Sequence, residues 1–84
     1  MYEVLLERAA EQDLKRLPKE ILPRVVRALR ALSKTPRPAG VRKLEGSRSD
    51  WRIRVGDHRI VFEIDDPGKV VRIMRIRHRR EAYR

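Results

Sequence analysis

The sequence contains no cysteine, few aromatic side chains (one tryptophan, two tyrosines and one phenylalanine), and no long apolar run. A chain without cysteine forms no disulfide or thiolate metal site, and two histidines are too few for structural zinc, so we predict no metal or other cofactor. A membrane-spanning helix needs roughly 20 apolar residues. Because that run and a secretory signal are both lacking, we expect a cytoplasmic protein without membrane contact. No glycine-rich phosphate loop or Ser–His–Asp arrangement is found, and we expect no small-molecule ligand.

Positive charge is in excess and unevenly placed. Lysine and arginine number 22 against 12 acidic residues, which gives a formal charge of +10 and an isoelectric point near 11.2. Residues 1–35 contain 8 basic and 5 acidic groups, whereas residues 36–84 contain 14 and 7. Arginine predominates, and its planar guanidinium matches a phosphate through two parallel hydrogen bonds. This balance favours a polyanionic partner, most often a nucleic acid, over a basic surface that serves only solubility.

Hydrophobic periodicity predicts six elements within one domain, residues 1–84. Apolar residues recur at every second position, as in half-buried strands, in Met1–Glu7, Trp51–Val55 and His58–Asp65. A fourth strand, Val70–Ile76, is apolar on both faces, as in a central strand covered on both sides. Helical spacing marks Ala9–Leu17 and Ile21–Leu32. Pro18 ends the first helix, and the regular part of the second begins near Pro23.

The order strand, helix, helix, strand, strand, strand predicts an α+β fold. We expect a small, mostly antiparallel, twisted sheet with a helical hairpin packed on one face. A loop at 33–40 and tight turns at 56–57 and 65–68 connect the elements. Alternation then separates the two faces of the sheet. The residues facing the helices are Trp51, Ile53, Val55, Ile60, Phe62 and Ile64. The residues on the open face are Arg52, Arg54, Arg59 and Glu63.

Three arginines on one open sheet face are costly, because like charges on neighbouring strands repel. By alternation, Glu63 and Asp65 fall on the same face as these arginines. They could neutralise part of the positive charge within the sheet, and this alternative stays open. The end of the chain adds five more arginines against one glutamate: Arg75, Arg77, Arg79, Arg80 and Arg84. The two groups of arginines favour a surface that binds phosphate.

Five further side chains are candidates, each with an ordinary alternative. Tyr83 can stack on a base or polarise a phosphate oxygen, or simply pack. His78 can move protons near neutral pH, although a solvated surface position is the simpler interpretation. Lys43, in the loop, can contact phosphate, and Glu63 can act as a general base or pair with an arginine. His58 shares parity with core positions of its strand and is expected at the edge of the core.

Three segments in combination resemble the RelE/ParE superfamily of toxins from toxin–antitoxin systems. They are K-L-E-G at 43–46, W-R-I-R-V-G-D-H-R-I-V-F-E-I at 51–64 and R-H-R-R-E-A-Y-R at 77–84. The leading strand and the helical hairpin with its proline-containing loop also match, so the resemblance covers nearly the whole chain. It implies a compact toxin with a small, mostly antiparallel sheet and a cognate antitoxin that wraps the toxin with a helical segment.

Resemblance to the RelE branch also implies a mechanism and a site. RelE-type toxins enter the ribosomal A site and cut mRNA, where the 2′-hydroxyl attacks the adjacent phosphate and leaves a 2′,3′-cyclic phosphate. The implied partners are the ribosome, mRNA and a RelB-like antitoxin. By position, the catalytic residues of the family fall on Arg52, Arg54, Arg59, Arg79 and Tyr83. Further RNA contacts are expected from Lys43, Arg75, Arg77, His78 and Arg80.

The strand pair departs from the best-known members, in which both residues are lysine and one is a candidate general base. Arginine keeps its proton in proteins, so Arg54 can stabilise charge but is a poor proton acceptor. The base is then Glu63, His78, Tyr83 or a ribosomal group, or the reaction depends mainly on in-line positioning. Two other functions stay open. One is a ParE-like inhibitor of DNA gyrase, although such toxins generally lack the set that includes Arg59, Arg79 and Tyr83. The other is a non-catalytic module that binds RNA or an antitoxin.

Overall fold

The computed structural model describes residues 1–44 and 50–82, with side chains described as far as residue 80. In chain order its elements are β1 (Glu3–Leu6), α1 (Arg8–Lys15), α2 (Leu22–Lys34), β2 (Arg42–Lys43), β3 (Asp50–Val55), β4 (His58–Asp65), β5 (Val70–His78) and α3 (Arg79–Ala82). None of the helices in these ranges has the length and apolar character needed to span a bilayer.

The strands form one mixed sheet of five strands in the order β1-β5-β4-β3-β2. β1 lies parallel to β5, with Glu3 opposite Val70, and the other neighbours are antiparallel. This arrangement confirms the predicted α+β class with a mostly antiparallel sheet. Two short elements go beyond the prediction. β2 forms a sheet edge where the sequence indicates no strand, and α3 begins the basic tail.

Both predicted helices are present near their expected ends. Arg16 is the C-cap of α1, two residues before Pro18. α2 has Pro23 in its first turn, where the missing proline N–H leaves no helical hydrogen bond unmade. Each helix contributes to the core along one stripe. The buried residues of α2 are Val25, Leu29 and Leu32.

The core lies between the helices and one face of the sheet. Ala10 of α1 and the buried stripe of α2 pack in one cluster with sheet residues, which are Val55, Ile60, Phe62, Ile64, Val71, Ile73 and Ile76. The inward set predicted for β4 is confirmed, and Phe62 is completely buried. In β3, Trp51 and Ile53 are only half-buried, because this strand lies beside the short edge strand β2.

β5 departs from the predicted pattern at Met74. Phe62 of β4 lies opposite Ile73, whereas Val61, the residue before it, lies opposite Arg75. Met74 is therefore the additional residue of a β-bulge, and the alternation of faces is reversed beyond it. The buried residues of β5 consequently share one face and are Val71, Ile73 and Ile76. The prediction of a strand covered on both faces is wrong, since the other face is exposed at Arg72.

Asp13 of α1 closes part of the outer edge of β5. β1 pairs with β5 only as far as Ile73, and beyond it the Ile76 N–H donates to Asp13 Oδ2 at 2.9 Å. The Arg75 guanidinium donates to both carboxylate oxygens, at 2.8 and 3.1 Å. Burial alone would raise the pKa of the Asp13 carboxyl, but the bonds from Arg75 and Ile76 outweigh burial and hold the pKa below 3.8.

A second polar cluster lies at the β4–β5 turn. The Tyr2 hydroxyl donates to Asp66 Oδ1 at 2.6 Å, and Arg37 donates to both Asp66 oxygens at 3.2 and 2.8 Å. The bonds from Arg37 and Tyr2 lower the pKa of Asp66 to about 2. The Arg37 guanidinium also lies over the Trp51 ring, 5.1 Å from its centroid. These contacts hold the loop that leads into β2.

Candidate nucleic-acid interface

An arginine row, consisting of Arg54, Arg59 and Arg77, crosses the open face of the sheet. Arg54 of β3 lies directly opposite Arg59 of β4, and Arg59 lies directly opposite Arg77 of β5. Directly opposed residues project to the same face with Cβ atoms about 5 Å apart. Three positive side chains therefore lie side by side, an arrangement that favours binding of an anion.

A shallow cavity of about 290 Å³ adjoins the arginine row on the side of the sheet edge. Its lining residues are Gly40, Arg42, Arg52, Ile53, Arg54 and Arg59. Arg42 lies directly opposite Arg52 across the β2–β3 pair. Gly40 has a φ of +87°, a conformation that glycine adopts readily and that turns the chain into β2. The volume is comparable with the smallest ligand pockets, and every charged residue of the lining is an arginine.

Arg59 is buried, with 6% of its surface exposed, which corrects the expectation of an open position. Its parity is as predicted, but β4 is the middle strand of the sheet. Arg59 is therefore flanked on both sides by the long side chains of Arg54 and Arg77. A charge in a shielded, low-dielectric position acts more strongly on a bound phosphate than a fully hydrated charge does. Arg54 is exposed and Arg77 is half-buried, so the three arginines of the row range from accessible to shielded.

Glu63 and Asp65, the acidic residues that share the face of the row by parity, lie toward the opposite end of the strands. Arg72 forms ion pairs with Glu63 at 3.6 Å and with Glu7 at 3.3 Å. Glu63 is four residues from Arg59 along an extended strand, a separation of roughly 13 Å. Asp65 accepts a backbone N–H within its own turn at 3.1 Å. This separation disfavours the alternative in which Glu63 and Asp65 neutralise the arginine row.

The β3–β4 turn and the start of α3 form a second basic pocket at the same end of the sheet as the row. Its lining residues are Asp57, His78, Arg79 and Arg80. The Arg79 N–H donates to the Asp57 carbonyl at 2.7 Å, and the Arg80 N–H donates to His78 Nδ1 at 3.2 Å. His58 meets His78 edge to face, with ring centroids 5.2 Å apart. These contacts attach α3 to the turn, and His58 is half-buried at the edge of the core, as predicted.

The predicted site residues divide into two neighbouring groups, two separate positions and one residue outside the described part of the chain. One group lies on the sheet and the other at α3; they are Arg52, Arg54, Arg59 and Arg77, and His78, Arg79 and Arg80. Lys43 lies opposite Trp51, on the face away from the row, with Nζ 5.9 Å from the ring centroid. Arg75 is bound to Asp13. Tyr83 lies outside the described residues.

Arg42 is a candidate that the sequence patterns miss. β2 has only two residues, too few for the alternation that marks a strand. A basic pair two residues after a glycine and shortly before a hairpin is the signal that would have indicated it. In the ranges 1–44 and 50–80, no group of three or more histidine, aspartate or glutamate side chains could hold a metal ion. The charged residues that line the cavity are guanidinium donors suited to phosphate oxygens.

Comparison with known proteins identifies relatives over nearly the whole chain. The family model for the ParE toxin of the type II toxin–antitoxin system parDE matches residues 4–83. Toxin RelG of Mycobacterium tuberculosis (strain ATCC 25618 / H37Rv) is 38% identical over 87 residues, which cover 99% of this chain and 97% of that protein.

Solved structures share the fold. The archaeal RelE–RelB complex from Pyrococcus horikoshii OT3 matches with a TM-score of 0.82 and 29% identity, over 93% of this chain and 94% of that chain. The toxin–antitoxin complex RelBE2 from M. tuberculosis matches with a TM-score of 0.81 and 32% identity, over 92% and 96%. The resemblance read from the sequence is thereby confirmed. The chain belongs to the ParE toxin family of type II toxin–antitoxin systems, within the RelE/ParE superfamily.

Proposed function

We propose that this toxin is a ribosome-dependent endonuclease that cleaves mRNA in the ribosomal A site and so inhibits translation. The arginine row and its cavity carry the proposal. Four arginines line one shallow site, and Arg59 among them is shielded from water. Guanidinium groups bind phosphate oxygens in a bidentate manner, and a phosphodiester is the group on which such a nuclease acts.

In the proposed reaction the 2′-oxygen attacks the adjacent phosphorus and the bond to the 5′-oxygen breaks. The 2′-hydroxyl loses a proton, the 5′-oxygen gains one, and a 2′,3′-cyclic phosphate remains. Arg52, Arg54 and Arg59 hold the scissile phosphate and stabilise its developing charge. One preorganised donor of this kind typically contributes about 2.7–4 kcal/mol. Arg79 stabilises charge at the leaving oxygen, and Tyr83 orients or stacks the substrate.

The chemistry of the cavity supports a requirement for the ribosome. None of the described residues that line it is a proton acceptor, because its charged side chains are all arginine. His78 Nδ1 accepts the Arg80 N–H, so the neutral ring has its N–H on Nε2 and offers no free acceptor nitrogen to the 2′-hydroxyl. The proton of the 2′-hydroxyl then passes to a ribosomal group or to water. Alignment of the attacking oxygen, which the ribosome imposes on the codon, supplies several kcal/mol of the rate enhancement.

A RelB-like antitoxin is the proposed protein partner. Two of the similar structures are described as complexes of this kind, one as RelE–RelB and the other as the toxin–antitoxin complex RelBE2. Met1 and Leu5 are large apolar residues that are exposed, 83% and 40% respectively. Leu5 lies on β1, an edge strand of the sheet, so apolar surface is available there for a partner segment. Co-purification with the product of an adjacent acidic reading frame tests this partner.

A translation extract programmed with a defined mRNA tests the nuclease. We expect cuts within the A-site codon, cyclic phosphate ends, and no cutting of the same mRNA without ribosomes. Arg54→Ala should reduce cleavage about 100-fold. Arg72→Ala is the matched control, because Arg72 lies on the same face among acidic residues, and its cleavage should stay near the parent level. Growth arrest by a toxin that leaves the mRNA intact contradicts the proposal.

A second candidate is inhibition of DNA gyrase, which the description of the matching family model as a ParE toxin favours. The measurement is supercoiling of relaxed plasmid DNA by purified gyrase with increasing toxin. The nuclease proposal predicts no effect. If the Arg54→Ala variant still inhibits gyrase and the parent cleaves no mRNA, gyrase inhibition would replace mRNA cleavage as the proposed function.

A further inference from the structure

The outer side of α2 carries a basic stripe, defined as Arg24, Arg27, Arg30 and Lys34. All four residues are exposed, and at 3.6 residues per turn they fall within a sector of roughly 120°. The stripe extends roughly 15 Å along the helix axis, since each residue rises 1.5 Å. In the described part of the chain, none of the four forms an ion pair with a carboxylate.

Helix stability does not explain the basic stripe. α2 contains no acidic residue, and its first turn contains Arg24, where the helix dipole favours negative charge. Like charges three or four residues apart destabilise a helix by a few tenths of a kcal/mol per pair. Only Lys34, in the last turn, is favourably placed. α1 differs, because its four charged residues include two of each sign. The charge pattern on the outer side of α2 therefore has no explanation in the stability of the helix itself.

The basic stripe begins near the arginine row. Arg24 Nη1 lies 3.3 Å from the position that a Cβ on Gly56 would occupy, so its guanidinium lies against the β3–β4 turn. That turn connects Arg54 to Arg59, and the Asp57 carbonyl within it anchors α3. Arg24 thus places the first positive charge of the stripe beside the turn that joins two strands of the arginine row.

We propose that the basic stripe binds the phosphate backbone of a double-helical RNA that lies beside the substrate strand. The proposal rests on the proposed function for the choice of RNA. Proteins hold single strands by stacking bases on aromatic side chains, and α2 has no aromatic residue. The stripe also lacks amide and carboxylate groups, which read base edges together with arginine. Basic side chains alone suit backbone contacts, which depend on charge and shape rather than on sequence.

A pair of charge-matched variants tests the basic stripe. The stripe variant is R24Q/R27Q/R30Q/K34Q, and the control variant R8Q/K15Q/R16Q/K19Q removes the same charge from exposed positions on and after α1. Glutamine preserves helix propensity in both, and circular dichroism confirms folding. The probe is a fluorescent RNA duplex of about 16 base pairs, titrated over a range of salt concentrations. A DNA duplex of the same sequence is titrated in parallel.

The stripe variant should bind the RNA duplex at least about tenfold more weakly than the parent at 0.1 M salt. The slope of log affinity against log salt should fall by about 2 to 4, because each lost phosphate contact removes about 0.9. The control variant should change the slope by less than 1. Equal losses in the two variants would overturn the proposal, since net charge alone would account for them. Binding by the stripe variant that equals the parent would also overturn it.

The RNA and DNA duplexes show which nucleic acid supplies the phosphate backbone. Polyglutamate tests whether the partner is an acidic protein instead. Equal losses on RNA and DNA support recognition of phosphate alone, and a larger loss on RNA supports recognition of the A-form helix. A stripe variant that loses affinity for polyglutamate but not for either duplex overturns the proposal in favour of an acidic protein. In the Arg54→Ala background, in which cleavage should fall about 100-fold, the difference in duplex affinity between the stripe variant and the control variant should be retained. A parent that binds the duplex through the stripe but never cleaves mRNA refutes the proposed function alone.

Discussion

Removal of the Asp13 carboxylate tests whether Arg75 is a structural residue and not part of the phosphate site. The side chain of Asp13 is 12% exposed and accepts three hydrogen bonds. Two come from the Arg75 guanidinium and one from the Ile76 N–H. Asp13→Ala removes all three and leaves the Ile76 N–H on an edge that β1 does not reach. Asp13→Asn retains one oxygen for the backbone N–H but loses the charge.

The magnitudes follow from these contacts. A hydrogen bond to a charged group contributes about 1.5–3 kcal/mol, but the Arg75 side chain is 42% exposed, and solvent reduces the contribution of such a pair. We therefore expect Asp13→Ala to lower the free energy of unfolding by about 2–3 kcal/mol and Asp13→Asn by about 1–1.5 kcal/mol. For a chain of this size the larger value corresponds to a fall in Tm of roughly 10–20 °C.

Thermal and urea unfolding followed by circular dichroism measure these changes. Gln12→Ala, an exposed substitution on the same helix, should stay within about 0.5 kcal/mol of the parent. A double-mutant cycle with Arg75→Ala should give a coupling energy of about 1 kcal/mol or more. Additive effects, or an Asp13→Ala variant as stable as Gln12→Ala, would refute the structural assignment of Arg75.

The pH dependence has a defined sign. Burial tends to raise the pKa of Asp13, but the bonds from Arg75 and Ile76 leave it below 3.8. A carboxyl whose folded-state pKa is lowered stabilises the protein above its unfolded-state pKa. This contribution decreases as pH falls below 3.8 and is lost through the lower folded-state value. The difference in stability between the parent and Asp13→Asn should therefore shrink in acid. A difference that grows in acid would contradict the assignment.

Three further predictions concern the core, the second polar cluster and the site. Phe62→Ala should cost about 3–5 kcal/mol in urea unfolding, because Phe62 is completely buried; a cost below about 1 kcal/mol would refute its place in the core. The free energy of unfolding should fall as pH decreases from 3.8 to about 2, the lowered pKa of Asp66. Asp66→Asn should flatten that part of the pH profile, and a variant with the same profile as the parent would contradict the contribution of Asp66. Arg54→Ala should reduce the salt dependence of single-stranded RNA binding by about 0.7 in log–log slope, measured by fluorescence anisotropy, whereas an unchanged slope would remove Arg54 from the phosphate site.

Most of the regular structure could be predicted because it follows from periodicity. α2 extends over three turns with a consistent apolar stripe, and β4 alternates between buried and more exposed positions from Ile60 to Asp65. Pro18 and Pro23 act locally on the backbone, so the ends of the helices could also be anticipated. In the same way, parity correctly places Arg54 and Arg59 on one face. These signals depend on neighbouring residues in the chain.

The features that could not be predicted depend on contacts between distant residues. The bulge at Met74 appears only in the pairing of β4 with β5, and without it Ile76 has the wrong parity. The bond from Arg75 to Asp13 joins residues 62 positions apart. The burial of Arg59 follows from the position of β4 between two other strands. For the candidate site, parity alone therefore indicates which arginines share a face, but not which of them is shielded or which binds a carboxylate.

The proposed function requires that Arg52, Arg54 and Arg59 hold the scissile phosphate of mRNA. Single-turnover cleavage on purified ribosomes with a defined codon in the A site tests it most directly, with toxin in excess. Arg54→Ala should lower the rate constant about 100-fold while ribosome binding is retained. Arg54→Lys, which keeps the charge but not the bidentate geometry, should recover part of the rate. A rate constant for Arg54→Ala equal to that of the parent would contradict the claim.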